Sequence, residues 1–112
     1  MTSIFITFDQ AHYERIIDVL ERNNCRGFTA WGQVQGRGSR DGEPHYGSHA
    51  WPSMASAIMT IVEDHRVDAI LSRLQEIDLD RPKLGLRAFS LACDKDHLSF
   101  INISIDAAVS PI

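Results

Sequence analysis

The residues best suited to chemistry lie in one polar stretch, residues 36–54, which reads GRGSRDGEPHYGSHAWPSM. It opens on Gly36, Arg37 and Gly38. Glycines directly after a strand let backbone N–H groups approach an anion such as phosphate, and guanidinium groups bind phosphate or carboxylate through paired hydrogen bonds. Together with Arg40, this opening predicts an anion-binding site. The alternative is an ordinary turn with solvated arginines.

Two histidines four residues apart, His45 and His49, stand in the middle of the same stretch. If the segment turns helically, both imidazoles face one point, and zinc, copper and nickel accept imidazole nitrogen as a ligand. Asp41, Glu43 or a second subunit could supply a third ligand. The pattern therefore predicts either a site for a divalent transition metal or a solvated pair of surface histidines.

Trp51 is a large apolar side chain in this otherwise polar stretch. If it is exposed, it is a contact residue for a partner protein. If it packs against the sheet, it anchors the return of the chain into the next strand, because Pro52 follows directly. We favour the anchor, and we keep Tyr46 and Trp51 as candidate partner contacts.

The sequence contains no recognisable motif of a catalytic site. Serines, histidines and Asp41 share the stretch, but a catalytic triad needs a geometry that sequence neighbours do not supply. No GxSxG motif occurs. We predict a non-enzymatic protein, and a small enzyme with a ligand between sheet and helices, like the ferredoxin-fold monooxygenases, is the alternative. The remaining histidines are predicted to be solvated or to cap helices: His12, His65 and His97.

Composition narrows the class of protein. The chain has 112 residues, a net charge of −4 and 44% hydrophobic residues, which fits one soluble domain. No basic stripe is present, so we expect no nucleic-acid partner. No long apolar run and no secretory signal is visible, so we expect a cytoplasmic protein. Cys25 and Cys93 are expected to be free thiols, with a disulfide as the alternative.

Four segments around the polar stretch carry strand signals. They are residues 3–8 (SIFITF), 27–36 (GFTAWGQVQG), 54–64 (MASAIMTIVED) and 86–93 (LRAFSLAC). In the second segment, alternation predicts Phe28, Ala30 and Val34 on one face and Trp31 on the other. Arg87 lies on the last segment and adds a guanidinium group to the predicted anion site.

Two helical stripes separate these strands. The first consists of Tyr13, Ile16, Ile17 and Leu20, after a possible N-cap at Asp9; the second consists of Val67, Ile70, Leu71, Leu74 and Ile77, after a possible N-cap at Asp64. The order βαββαβ predicts an α+β, ferredoxin-like fold, with an antiparallel sheet and both helices on one face. The polar stretch is then a long loop between the second and third strands.

The other face of this sheet has no helix to cover it. We expect it to carry Trp31, Ile58 and Val62, and an apolar face of this kind indicates an oligomer. We treat residues 1–112 as a single domain with a core of about residues 1–93. In the extension, residues 94–112, the run SFINISIDAAV alternates, which favours an added strand over a disordered tail.

The βαββαβ order, with GQVQGRGSRDG opening a long loop after the second strand, resembles the PII-like signalling superfamily over about residues 1–93. The resemblance rests on the glycines of the motif: Gly36, Gly38 and Gly42. CutA-like proteins share the fold and are the nearest alternative. Ser39 and Arg40 stand where typical PII members have Arg and Gln, and DRPKLGLRAF stands in place of their glycine-rich phosphate loop.

The resemblance implies a homotrimer with its sheets facing inward. It implies a mobile loop, the T-loop, that contacts a partner, in divergent members often a membrane transporter such as a bicarbonate carrier or a heavy-metal efflux pump. It also implies a small effector, often ATP, ADP or AMP, bound between subunits near the base of that loop. On this chain the effector site is predicted at the following residues: Gly36, Arg37, Gly38, Ser39, Arg40, Gly42 and Arg87. The metal alternative uses His45 and His49.

Overall fold

The computed structural model describes residues 1–25, 27–37, 44–45 and 54–94. The helices and strands are β1 (Thr2–Asp9), α1 (Tyr13–Arg22), β2 (Phe28–Val34), β3 (Gly36–Arg37), β4 (Pro44–His45), β5 (Ala55–Val62), α2 (Val67–Asp80) and β6 (Arg87–Ala92). Three short 3-10 turns lie at Gln10–His12, Asp64–Arg66 and Pro82–Leu84. The predicted added strand in the extension falls outside the described residues.

The main sheet has four strands in the order β2-β5-β1-β6, and all its neighbours are antiparallel. This arrangement confirms the predicted ferredoxin-like βαββαβ fold. At the base of the long loop, β3 and β4 form a separate two-stranded ladder in which Gly36 pairs with His45 and Arg37 with Pro44. The loop therefore leaves and returns along paired backbone.

The hydrophobic core lies between the sheet and the two helices. Its fully buried members alternate along the central strands, with Ile4 and Ile6 on β1 and Ile58 on β5, and they meet Ile16 of α1 and Ile70 of α2. The expectation that Ile58 and Val62 lie on the uncovered sheet face is wrong. Ile58 pairs with Ile6 and is 0% exposed, and Val62 is 4% exposed.

Trp31 does lie on the helix-free face, where its side chain is 44% exposed. Its neighbours on that face follow from the register, in which Thr29, Met59, Phe5 and Phe89 form one row across all four strands. Met59 and Phe89 are exposed, and so is Leu91 on the same strand as Phe89. The apolar open face therefore includes Trp31 as expected, with Met59, Phe89 and Leu91 in place of Ile58 and Val62.

A bulge in β2 changes the face on which Val34 lies. Trp31 pairs with Ala57 and Val34 with Ala55, so β2 advances three residues while β5 advances two. The shift moves Val34 to the same face as Trp31, and the predicted shared face of Phe28, Ala30 and Val34 is wrong for Val34. Ser56 Oγ stabilises the bulge by donating a hydrogen bond to the carbonyl of Gly32 at 2.6 Å.

One of the two predicted helix caps is present in the structure. Asp9 accepts a hydrogen bond from the backbone N–H of Ala11 at 2.7 Å, so it caps the turn that leads into α1 as expected. Asp64 does not cap α2; it accepts a hydrogen bond from Thr2 Oγ1 at 2.7 Å. Asn24, with φ of 58°, ends the first helical segment in the left-handed region.

Both cysteines are free thiols, as expected, and Cys25 is buried. Burial raises the pKa of the Cys25 thiol, so it is an unreactive core side chain. Among the described residues, no helix is long and apolar enough to cross a membrane.

Candidate ligand site at the loop end of the sheet

The predicted site residues lie at one end of the sheet but at opposite edges. β2 runs into Gly36 at one edge, and Arg87 begins β6 at the other, since the strand order is β2-β5-β1-β6. Strands are spaced about 4.8 Å apart, so roughly 14 Å separates these two edges. A single chain therefore does not bring Arg87 next to the glycine turn, although both face the same end.

Arg87 is held by its own surroundings. Its guanidinium Nη1 donates a hydrogen bond to the carbonyl of Leu86 at 2.7 Å and lies 4.0 Å from Oδ1 of Asp78. The Arg87 side chain is 39% exposed, which leaves it accessible to a ligand. It lines a groove of about 270 Å³ together with Leu71, Leu74, Gln75, Asp78, Leu86 and Ala88.

The turn between α2 and β6 presents this arginine. Pro82–Leu84 form a 3-10 turn, and Gly85 follows with φ of 75°, a left-handed conformation that glycine adopts without steric strain. Lys83 is exposed on the turn. The turn thus places a second basic group close in sequence to Arg87, at the same end of the sheet as the loop.

The remaining predicted site residues divide into two groups. The backbones of Gly36 and Arg37 are described, and the ladder places His45 directly opposite Gly36. The others lie outside the described residues: Gly38, Ser39, Arg40, Gly42, Tyr46, His49 and Trp51. In the described part of the chain, no cluster of three or more metal-ligating side chains occurs.

His12 is a residue whose environment the sequence did not predict. It was expected to be solvated or to cap a helix, but it is 3% exposed and makes no capping hydrogen bond through its side chain. His65 is exposed, as expected, and lies 3.5 Å from a carboxylate oxygen of Glu63. His97 is outside the described residues. Asp78 was also missed, because one acidic residue near the end of an amphipathic helix carries no distinctive signal.

A larger groove of about 690 Å³ lies between the two helices, on the side of the sheet opposite to the open face. Its arginines face carboxylates: Arg22 lies 2.8 Å from Asp18, and Arg73 lies 3.2 Å from Glu76. These exposed ion pairs leave the groove mixed in charge. Arg87 is less closely paired, since its distance to Asp78 is 4.0 Å, and we therefore place the candidate anion site at the loop end, around Arg87.

Comparison with known proteins decides the family. The sequence profile of the family described as nitrogen regulatory protein P-II matches residues 1–83. The chain belongs to the P-II family. The match settles the choice between the PII-like and CutA-like resemblances, and it covers the polar loop and both helices. No protein with a curated description matches the sequence at a significant level.

Solved structures of P-II relatives share the fold. CPII, a nitrogen regulatory PII-like protein from Thiomonas intermedia K12, bound to ADP, AMP and bicarbonate, superposes with a TM-score of 0.66 at 22% identity, covering 80% of this chain and 82% of that one. Its apo form gives a TM-score of 0.61 at 19% identity, with coverage of 80% and 85%. A PII-like signaling protein from Thermus thermophilus gives 0.59 at 24% identity, with coverage of 80% and 83%.

Proposed function

We propose that this P-II family member is a non-enzymatic signalling regulator that binds a small anionic effector, an adenine nucleotide, in clefts between the subunits of a homotrimer. The position of Arg87 carries the proposal. This accessible guanidinium faces the loop end of the sheet from the edge opposite to Gly36. Two such edges from neighbouring subunits would complete one cleft, with the glycine turn of one chain and the arginine of the next.

The open sheet face supports the trimer. Met59, Phe89 and Leu91 are exposed on it although all are apolar, and Trp31 lies on the same face. Exposed apolar patches of this kind mark interaction surfaces. Packing the three open faces together would remove these side chains from water, and each cleft would then lie where two sheets meet at their edges.

The nature of the effector follows from the charges and from the relatives. From the sequence we assign to the proposed cleft the backbone N–H groups of the glycine-rich turn and the arginines Arg37, Arg40 and Arg87, all of which suit phosphate. The CPII relative is bound to ADP, AMP and bicarbonate. Ser39 and Gly42 complete the predicted contact set. We therefore assign ADP or AMP as the effector class.

The output of the regulator is the long loop. An effector at its base would change the population of loop conformations to the extent that it binds one of them better. Tyr46 and Trp51 would then contact a partner protein, for which a membrane transporter is the class we propose. The regulator itself would act in the cytoplasm.

A binding screen tests the proposal. Thermal unfolding is measured with ADP, AMP, ATP, bicarbonate, Zn²⁺, Cu²⁺ and Ni²⁺ in separate wells. A ligand at a hundred times its Kd stabilises the folded state by about 2.7 kcal/mol, which is a clear shift in Tm. We expect shifts with ADP or AMP. No shift with any adenine nucleotide at millimolar concentration would contradict the proposal.

A further inference from the structure

Two buried polar atoms near the proposed site have no hydrogen-bond partner. Among the residues that the structure describes, His12 Nε2 and Asp78 Oδ1 are the buried side-chain nitrogen and oxygen atoms without a hydrogen bond. Such atoms are rare in folded proteins, and each one calls for a physical explanation. One is an imidazole that can gain a proton, and the other is a carboxylate that can compensate the resulting charge.

Helix packing brings these two atoms to the same region. Arg15, one turn beyond His12 in α1, lies 3.3 Å from Asp80, in the same last turn of α2 as Asp78. The first turn of α1 therefore packs beside the last turn of α2. Four charged groups act on the His12 imidazole from three surrounding elements: Asp9 at the end of β1, Arg15 on α1, and Asp78 and Arg81 at the end of α2.

The surroundings of His12 favour the neutral imidazole. Burial lowers the pKa of His12, and the positive charge of Arg15 adds to the effect, whereas Asp9 and Asp78 oppose it. Asp78 also faces Arg87. The distance from Asp78 Oδ1 to Arg87 Nη1 is 4.0 Å, an attraction between charges that is too long for a hydrogen bond.

We infer that Asp78 is a shared counter-ion that couples effector binding at Arg87 to protonation of His12. An anion bound to Arg87 weakens the attraction between that guanidinium and Asp78. The released carboxylate then favours the protonated imidazole, and His12 takes up one proton from solvent. The inference rests on the proposed function, because it requires an anion at Arg87, and it makes the regulator sensitive to pH at its effector site.

The coupling can be tested without any ligand. The pKa of the His12 imidazole is measured by NMR titration. The chain has five histidines, and the signal of His12 is the one that disappears in the variant His12→Gln. Arg87→Ala should raise the pKa of His12, because Asp78 then has no competing arginine. Arg73→Ala, which removes an exposed arginine of α2, should leave it unchanged.

A double variant separates the proposed coupling from a direct field of Arg87 on the imidazole. In the Asp78→Asn background, Arg87→Ala should no longer change the pKa of His12, because the shared carboxylate is gone. If Arg87 acted directly on the imidazole, Arg87→Ala would still raise the pKa of His12 in the Asp78→Asn background. An unchanged pKa of His12 in the single variant Arg87→Ala would overturn the inference, and so would an equal shift in both backgrounds.

Proton uptake on binding is the matching test with ligand. The heat of ADP binding is measured by calorimetry at one pH in PIPES and in imidazole buffer, whose ionisation heats differ, so the difference between buffers counts protons taken up. Wild type should take up more protons per ADP than His12→Gln or Asp78→Asn, while the phosphate of ADP itself contributes equally to all three. Equal uptake would sink the coupling but leave the proposed function intact, whereas no binding heat in wild type would contradict the proposed function.

Discussion

Phe5 of β1 pairs directly with Phe89 of β6 on the sheet face that carries no helix. Phe5 is half-buried, whereas Phe89 is 54% exposed, and Met59 flanks Phe5 on the other side. Three large apolar side chains in a row across β5, β1 and β6 are costly to leave in water, since burial of apolar surface is worth about 25 cal/mol per Å². This row is therefore the proposed contact surface of the trimer.

A charge in this row should prevent assembly. We expect Phe89→Glu to convert the trimer to monomers, because a buried unpaired carboxylate is strongly unfavourable. Light scattering after gel filtration at micromolar concentration gives the mass. The matched control is Leu79→Glu, which places the same charge on an exposed leucine of α2 that is 69% accessible. A monomeric wild type would contradict the assembly, and so would a Phe89→Glu variant that remains trimeric.

Gly85 should be intolerant of substitution for a reason that Gly32 does not share. Gly85 has φ of 75°, so Gly85→Ala should lower the free energy of unfolding by about 1–2 kcal/mol. A Cβ atom added at Gly32 would have no atom within 4 Å beyond the residue itself and its two chain neighbours, so Gly32→Ala should be close to neutral. Urea unfolding of both variants at equal protein concentration provides the comparison. Equal stability of the two variants would show that the turn before β6 relaxes to accept a side chain.

Burial of His12 predicts a loss of stability in mild acid. Because its pKa is lowered from 6.5 in the folded state, the unfolded chain binds a proton more readily there. The free energy of unfolding should therefore fall as pH decreases from 6.5 through the lowered folded pKa. Urea unfolding at about pH 7.5 and about pH 5.5 should show a smaller difference for His12→Gln than for wild type. The control His65→Gln should behave like wild type, and a His12→Gln difference as large as that of wild type would contradict the buried, neutral imidazole.

The metal alternative makes its own prediction. If His45 and His49 ligate Zn²⁺, Cu²⁺ or Ni²⁺, calorimetry at about pH 7.5 should show binding that weakens below about pH 6.5, where free imidazole becomes protonated. His45→Ala should abolish this binding without loss of the fold, whereas His65→Ala should not affect it. Equal binding heats for wild type and His45→Ala would exclude the metal site at these histidines.

Sequence periodicity was sufficient for the order of the two helices and the four strands of the main sheet, but not for the faces of β5. Its sequence, ASAIMTIV, carries apolar residues at both parities, so alternation alone did not decide which side faces the helices. The register with β1 decides it, because Ile58 pairs with the buried Ile6. Ser56 and Thr60 lie on the same core side as Ile58, and their hydroxyl groups donate to the backbone carbonyls of Gly32 and Gly27.

The candidate site was predictable only in part, because some of its residues are brought together by tertiary packing. A basic residue at the start of the last predicted strand indicated Arg87 from the sequence alone. Its partner Asp78 and the buried His12 depend on how the ends of α1 and α2 pack together, which is a tertiary property. His12 is buried because it lies in a 3-10 turn, Gln10–His12, just before α1. Helical periodicity predicts where the helix lies but not the conformation of the turn before it.

Arg87 should contribute more to nucleotide binding than any arginine on the helix surface. Loss of a charged hydrogen bond costs about 1.5–3 kcal/mol, so Arg87→Ala should weaken ADP binding roughly 10- to 100-fold. Arg73→Ala, which removes an exposed arginine paired with Glu76, should bind like wild type. Calorimetry on the three proteins gives the comparison. Equal affinity of Arg87→Ala and wild type would remove Arg87 from the site.

A mixing experiment tests most directly whether one cleft is shared by two subunits. Arg87→Ala and Gly36→Asp, each expected to bind ADP poorly, are unfolded together in equal amounts and refolded into mixed trimers. If Gly36 of one chain faces Arg87 of the next, about a quarter of the clefts in a random mixture combine two intact halves. Calorimetry should then recover that fraction of sites with wild-type affinity. A mixture that binds no better than either variant alone, while refolded wild type binds ADP normally, would contradict the shared cleft.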